Sequence, residues 1–241
     1  MLVYENNVLE SVDGLFEDYS GNTNMESIIV FSTMPRTMNR MFKNSKGLNG
    51  DFRMLYYHNT WGKLKEAEEC FMNSTYTNLE VINRSSLRKA ARMYKGSKVT
   101  FDYISINSQN IDMTECFADA IINVIDIYIN PQNIDMTKCF ANATVNVDSI
   151  DINSQNIDMT ECFADAKMDV DIMFYKKQDN YSVNLTNAFN NCTELTHLPK
   201  VTYKDKIYNL WEVEGIIGTG CFKGCTRLLE QYGDIIPDDW K

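Results

Sequence analysis

One segment occurs twice almost unchanged. ISINSQNIDMTECFADA (104–120) returns as IDINSQNIDMTECFADA (150–166), and Ser105 against Asp151 is the single difference. A looser copy, IYINPQNIDMTKCFANA (127–143), lies between them, so the copies follow each other every 23 residues. A chain with a short fixed period buries its apolar side by stacking each unit on the next. That restricts the fold to a solenoid-like array before any local assignment is made.

The trace of the repeat extends along the chain. An aromatic recurs at Phe16, Phe42, Phe71, Tyr94, Phe117, Phe140, Phe163, Phe189 and Phe222, at spacings of 26, 29, 23, 23, 23, 23, 26 and 33. A small or flexible residue such as Met41, Cys116, Cys139 or Cys162 precedes it, and Met113, Met136, Met159 or Leu185 sits four residues before it. Positions −4, −1 and 0 share one face of a short helix. Each copy then alternates as φ-x-x-φ-x-φ, for example Val124-x-x-Ile127-x-Ile129, with looser forms at 25–30, 52–57 and 76–81. That half is expected to be a strand. The expectation is an α/β solenoid of about nine turns, each a short helix plus a short strand, stacked into one parallel sheet.

The repeat length lies within the ~20–29 residues of leucine-rich repeats. With Phe189-Asn190-Asn191-Cys192 and Phe222-Lys223-Gly224-Cys225 ending their copies, the unit resembles the leucine-rich repeats of the BspA-like bacterial surface-protein group. The resemblance covers nearly the whole chain, although leucines are few and the middle copies place Cys before the aromatic. It implies a curved solenoid that binds proteins or surfaces.

A single turn offers about six core side chains at roughly 1.5–3 kcal/mol each. Ordering its residues costs ~1–2 kcal/mol apiece, so one turn does not stand alone. The chain therefore reads as one solenoid domain over 1–241. Residues 1–33 form an N-terminal cap turn, 34–198 the central repeats, and 199–241 an inserted hairpin and C-terminal cap. KVTYKDKIYNLWEV alternates around Asp205-Lys206, which marks the hairpin. Trp211 and Trp240 are expected to close that end.

Few residues suggest chemistry. The seven cysteines are odd in number and include no CxxC pair, so they are expected to be small buried core residues and not a disulfide or metal framework. The histidines, His58 and His197, lack a triad-like context and are expected on surface strands. Gly218-Thr219-Gly220 lacks the rest of a phosphate loop. Asp112-x-x-Glu115 and Asp158-x-x-Glu161 fit a helix capping box, which Lys138 breaks in the middle copy. The Asn107, Asn130, Asn153 column is expected either as a buried amide ladder or as plain turn chemistry. Asn73-Ser74-Thr75 matches a glycosylation sequon by chance. No catalytic, cofactor-binding or metal-binding residues are expected, and no cofactor.

The expected working surface is the strand-lined face. Its outward positions include Tyr56, Asp102, Tyr103, Asp126, Tyr128, Asp148, Asp151, Asp171 and Phe174. Aromatics beside charge are typical interface anchors, and the carboxylates would attract a basic protein partner. The formal charge of −10, from 23 Lys+Arg against 33 Asp+Glu, disfavours a nucleic-acid partner. No apolar run approaches the ~18 residues that insert into a membrane. MLVYENNVLESV carries no basic and apolar leader pattern, so an intracellular or virion-associated protein is expected.

The favoured function is a non-enzymatic protein-binding scaffold of a bacteriophage or bacterium. The alternative is an acidic inhibitor of a basic nucleic-acid-binding defence protein. Nine turns at ~4.8 Å would match duplex DNA carrying ~25 charges, far more than this chain offers.

Overall fold

A computed structural model describes residues 2–4, 10–24, 29–31, 35–49, 64–75, 77, 82–83, 85–177 and 179–241. The expected strand segment 52–57, with Tyr56 and His58, lies outside these residues, as do 25–28, 76 and 78–81.

The protein is a solenoid of parallel β-strands. In the central coils three strands per coil fall into three separate sheets, and two parallel pairs, Leu2–Tyr4 with Ile29–Phe31 and Thr23–Asn24 with Leu48–Asn49, precede them, so the single sheet of the sequence expectation is corrected. The first contains Lys98–Thr100, Ile121–Asn123 and Thr144–Asn146. The second, called the front sheet, aligns Tyr103–Ile106, Asp126–Ile129, Ser149–Ile152, Asp171–Lys176 and Lys200–Tyr203. The third stacks Asn110–Asp112, Asn133–Asp135, Asn156–Asp158, Ser182–Asn184 and Ile216–Ile217. The strand-bearing part amounts to about five coils, not nine helix-plus-strand turns.

Strand register follows from alternation. Ile104, Ile127 and Ile150 pair in one inward column, and Ile106, Ile129 and Ile152 in the next. Ile111, Ile134 and Ile157 do the same in the third sheet. A strand of period two puts its odd and even residues on opposite faces, so the Asn and Asp neighbours of these isoleucines face out.

The expected helix is replaced by a chain of tight turns. In 113–120 alternate N–H groups leave the coil: Met113 donates to Asp135 O, Glu115 to Thr137 O, Phe117 to Cys139 O and Asp119 to Ala141 O. The intervening N–H groups of Cys116, Ala118 and Ala120 bond back to Met113, Glu115 and Phe117. A helix would spend every interior N–H within itself. Here half of them join neighbouring coils. The geometry needs two left-handed residues per coil, such as Glu115 (φ 54°) and Asp119 (φ 59°). The second of these is Asp, Asn or Gly in each coil, from Asp18 through Asn44, Asn73, Gly96, Asp119, Asn142, Asp165 and Asn191 to Gly224, the residues that tolerate this conformation best.

Among the described residues the single α-helix is Thr226–Tyr232, beside short 3-10 turns at Leu210–Glu212 and Asp238–Trp240. The capping-box expectation is corrected with the helix. Asp112 Oδ1 accepts from the N–H of Thr114 at 2.9 Å, and Asp135 and Asp158 repeat the contact with Thr137 and Thr160. These are turn caps between near neighbours.

The turn segments carry the aromatic column. Rings stack nearly parallel from Phe16 on Phe42 (5.5 Å between centroids) through Phe140 on Phe163 (4.9 Å) to Phe189 on Phe222 (5.8 Å). Every recurring aromatic of the sequence pattern lies in this column. It is therefore longer than any of the sheets. Trp240 ends it, packing on Phe222 and edge-on to Trp211. Gly218 takes the place of the usual Met because a Cβ there would meet the Trp240 ring at 2.2 Å. The expected hairpin is present: Lys200–Tyr203 pairs antiparallel with Lys206–Asn209 across Lys204 and Asp205, both left-handed.

All seven cysteines are buried and free. Burial pushes the thiols up, Cys225 to about 12.

A charged column also runs along the coils. At the first left-handed site stand Arg40, Glu69, Arg92, Glu115, Lys138 and Glu161, alternating in sign. Arg92 Nε lies 2.9 Å from Glu69 Oε1, and Lys138 Nζ 3.3 Å from Glu161 Oε2. Lys138 thus departs from its sister copies because it separates two glutamates.

Two outcomes follow. Phe140→Ala, which opens a void in the middle of the ring column, lowers the unfolding free energy by about 3–5 kcal/mol in urea melts, whereas Phe16→Ala at the partly exposed end costs less. Lys138→Glu creates three stacked like charges and costs up to ~1 kcal/mol, a loss that shrinks when the melt is repeated in high salt.

Candidate functional site

The outward side of the front sheet is a grid whose rows are strands and whose columns run between coils. The bend before each strand contributes Asp102, Ile125 and Asp148, linked by backbone bonds of 2.8 Å. The next column is Tyr103, Asp126, Ser149 and Asp171, and the one after it Ser105, Tyr128, Asp151, Met173 and Lys200. Of the expected site residues, Asp102, Tyr103, Asp126, Tyr128, Asp148, Asp151 and Asp171 come together on this face. Tyr56 lies outside the described residues.

Phe174 does not belong to the face. It is 0% exposed and pairs with buried Ile152. Ten residues separate Phe117 from Ile127 and Phe140 from Ile150, but nine separate Phe163 from their partner Ile172. The missing residue is the one that would stand at the bend. In a strand of period two, that single deletion exchanges the two faces. Met173 and Tyr175 therefore take the outward positions.

The phenols and carboxylates form a network. Tyr128 donates to Asp126 Oδ2 at 3.1 Å, and Ser149 donates to Asp126 Oδ1 at 2.8 Å. Tyr175 donates to Asp151 Oδ1 at 3.2 Å. The Asp126 hydrogen bond holds the Tyr128 phenol above its ordinary range, while partial burial followed by the Asp151 charge does so for Tyr175. Asp126, Tyr128 and Asp151 are half-buried in this network, and Asp102, Asp148 and Asp171 are exposed. Apolar groups lie open beside them: Tyr103 is 53% exposed, Ile125 56% and Ile121 46%.

The asparagine column beyond the strands is a hydrogen-bonded ladder, but it stands at the surface and not in the core. Asn130 donates to Asn107 and Asn153 to Asn130, each at 3.1 Å. A second ladder faces out from the third sheet, where Asn156 donates to Asn133 at 2.6 Å and Asn133 donates to Asn110. With Asp112, Asp135 and Asp158 these amides line a shallow trough of about 720 Å³. The thrice-repeated Asn-Ile-Asp could have revealed it, because its alternation is that of a strand. Among the described residues no group of three or more His, Cys, Asp and Glu is arranged around a possible metal ion, and no helix is long and apolar enough to cross a membrane.

His197 sits at a bend beyond the edge of the face, not on a strand as expected. Its Nδ1 lies 2.9 Å from Asp169 Oδ1, and Thr196 donates to the same carboxylate. The Asp169 hydrogen bond raises the imidazole above its ordinary value, with Asp171 adding a smaller pull.

No protein-family model, no curated protein and no solved structure matches the chain.

Because the His197 value is raised by folding, the pair's stabilisation is fully present below the unfolded value of ~6.5. It disappears as pH rises through the folded value. Proton NMR should place the His197 titration above ~6.5, and His197→Gln should remove the loss of stability across that window in pH-dependent melts.

Proposed function

We propose that the chain is a non-enzymatic binding scaffold whose front sheet docks a protein with a basic surface. The observation that carries this reading is the juxtaposition, on one regular face, of exposed Asp102, Asp148 and Asp171 with exposed Tyr103 and Ile125. Carboxylates steer and orient a basic partner. The phenol ring and the isoleucine supply apolar area once water is excluded between them. The Asp126–Tyr128 and Asp151–Tyr175 hydrogen bonds fix four of the side chains in advance, which lowers the entropy lost on docking. The resemblance to surface-protein repeats points to the same class of role.

Dimensions set the strength. Five parallel strands at ~4.8 Å and four residues at ~3.3 Å give a strip of roughly 300 Å². A stable interface covers about 800 Å² on each partner. A partner therefore reaches past the strands, over the bend column and onto Ile121, or binds transiently.

The test is charge reversal at the three exposed positions. The triple variant Asp102→Lys, Asp148→Lys, Asp171→Lys should fold as the parent does and lose at least tenfold in affinity for a basic protein captured by the parent. Parent binding should weaken steadily between 50 and 300 mM salt, as the Debye length falls from about 14 Å to about 6 Å. Capture that is indifferent to both changes would sink this reading.

A further inference from the structure

The outward column of the third sheet continues past its strands. Thr37, Glu66 and Lys89 stand in register before Asp112, and Asp135 and Asp158 stand after it. One residue earlier than Thr37, Glu66 and Lys89 lie Arg36, Lys65 and Arg88. Backbone bonds of 2.8 Å run from the N–H of Lys65 to Arg36 O and from the N–H of Arg88 to Lys65 O. Three successive coils therefore carry Arg36, Lys65 and Arg88, and the next three carry Asp112, Asp135 and Asp158. The same polarity runs through the chain, because Lys and Arg predominate over 35–98 and Asp and Glu over 102–171.

Neither half alternates in sign, and like charges in register on adjacent strands are destabilising. Glu66 is engaged by Lys89 at 3.2 Å. Arg36, Lys65 and Arg88 have no carboxylate partner among the described residues; the Arg88 guanidinium donates to the carbonyls of Ser85 and Leu87, each at 3.0 Å. Asp112, Asp135 and Asp158 each spend Oδ1 on a turn N–H. Their Oδ2 atoms have no partner among the described residues. The shallow trough lies where the halves meet, with Arg88 and Lys89 lining it beside the three aspartates.

The sign of the strip inverts about a point between the coils of Arg88 and Asp112. A surface of that kind is complementary to itself. A two-fold axis through the point, lying in the interface along the strand direction, reverses the order of the coils and keeps the direction of the strands. It sets Arg88 against Asp112 of the second copy, Lys65 against its Asp135 and Arg36 against its Asp158. The long cationic side chains span the offset of one residue along the strand. Coils running the same way in both copies would set like charges against like, so charge selects one orientation. A closed two-fold contact of this type stops at two copies.

Size sets the strength. Six coils at ~4.8 Å and five residues at ~3.3 Å outline a strip of roughly 500 Å², below the ~800 Å² per partner of a standard interface. Association is therefore modest, carried by charge and sensitive to salt.

We propose that this strip is a self-docking surface through which two copies of the chain pair with their coils in opposite order, Arg36, Lys65 and Arg88 of each against Asp158, Asp135 and Asp112 of the other. It lies on the third sheet and is independent of the front face and the reading given for it.

The test is sedimentation equilibrium of the full chain up to a few hundred micromolar. A dimer should form in about 50 mM salt, and its dissociation constant should rise at least tenfold in about 300 mM salt. The triple variant Arg36→Glu, Lys65→Glu, Arg88→Glu should be monomeric. Asp112→Asn, Asp135→Asn, Asp158→Asn should lose at least tenfold in association while keeping the turn caps, because Asn184 already makes the same bond to the N–H of Thr186. Mixing the glutamate variant with Asp112→Lys, Asp135→Lys, Asp158→Lys should restore a one-to-one dimer, which misfolded chains cannot do. A carbodiimide, which joins an amine to a carboxylate without a spacer, should link Lys65 to Asp135 in the parent. Within one copy these residues stand three coils apart, ~14 Å, beyond the reach of their side chains, so that product arises between copies. A parent that stays monomeric, whether or not it retains heparin through Arg36, Lys65 and Arg88, a dimer that both the glutamate and asparagine variants leave unchanged, or a mixture that stays monomeric would each overturn the proposal.

Discussion

The structure depends on one constraint: each coil must send half of its turn-segment N–H groups, and all of its strand N–H groups, to a neighbour. Coils joined in this way lie one strand spacing apart, ~4.8 Å, and hold equivalent residues in line. Everything regular about the surface follows. Equivalent phenylalanines become a ring stack with centroids 4.9–5.8 Å apart. Equivalent asparagines become amide ladders, because an amide both donates and accepts and can pass a hydrogen bond along a column. Equivalent charges repel, and the alternation of Arg92, Glu115, Lys138 and Glu161 answers that problem in one column, whereas Asp112, Asp135 and Asp158 stack in register without it.

The same constraint separates scaffold from function. Coils that keep the repeat produce flat, columnar surfaces on which a partner reads a grid of side chains. Departures break the columns. One residue is lost at the bend before Asp171, and four are gained between Tyr175 and Ser182. The loss turns Tyr175 outward and Phe174 inward. The ladder of Asn107, Asn130 and Asn153 ends in the same coil, where Tyr175 holds the place after Asn153. At the C-terminal end the hairpin and Trp240 stop the array. Glu212 accepts from the N–H of Asn209 on the edge strand Lys206–Asn209, and exposed Lys206 opens that strand, so that edge is a poor template for further pairing.

Much of this was legible in the residues. The period, the buried ring column, the inward isoleucines of the front sheet, the buried thiols and the hairpin all follow from pattern and turn chemistry. So did seven of the nine face residues, because alternation assigns sides once a register is known. A template that counts forward from Phe163 places Phe174 on the outer face, because one missing residue is invisible to it. The 3–4 spacing of Met, Cys and Phe reads as a helix, although the second left-handed position, always Gly, Asn or Asp two residues after the aromatic, argues for a turn. The Asn-Ile-Asp strand was hidden behind a capping-box match of similar spacing.

The sequence by itself determined that the chain stacks, which residues repeat in columns and which of them are apolar, since these depend only on period and residue type. The tertiary structure alone decided whether 113–120 coils as helix or turns. Helix and turn bury the same methionine, cysteine and phenylalanine, and they differ only in where alternate N–H groups find acceptors. Those acceptors lie on the neighbouring coil, about one repeat away along the chain, and no local pattern contains them.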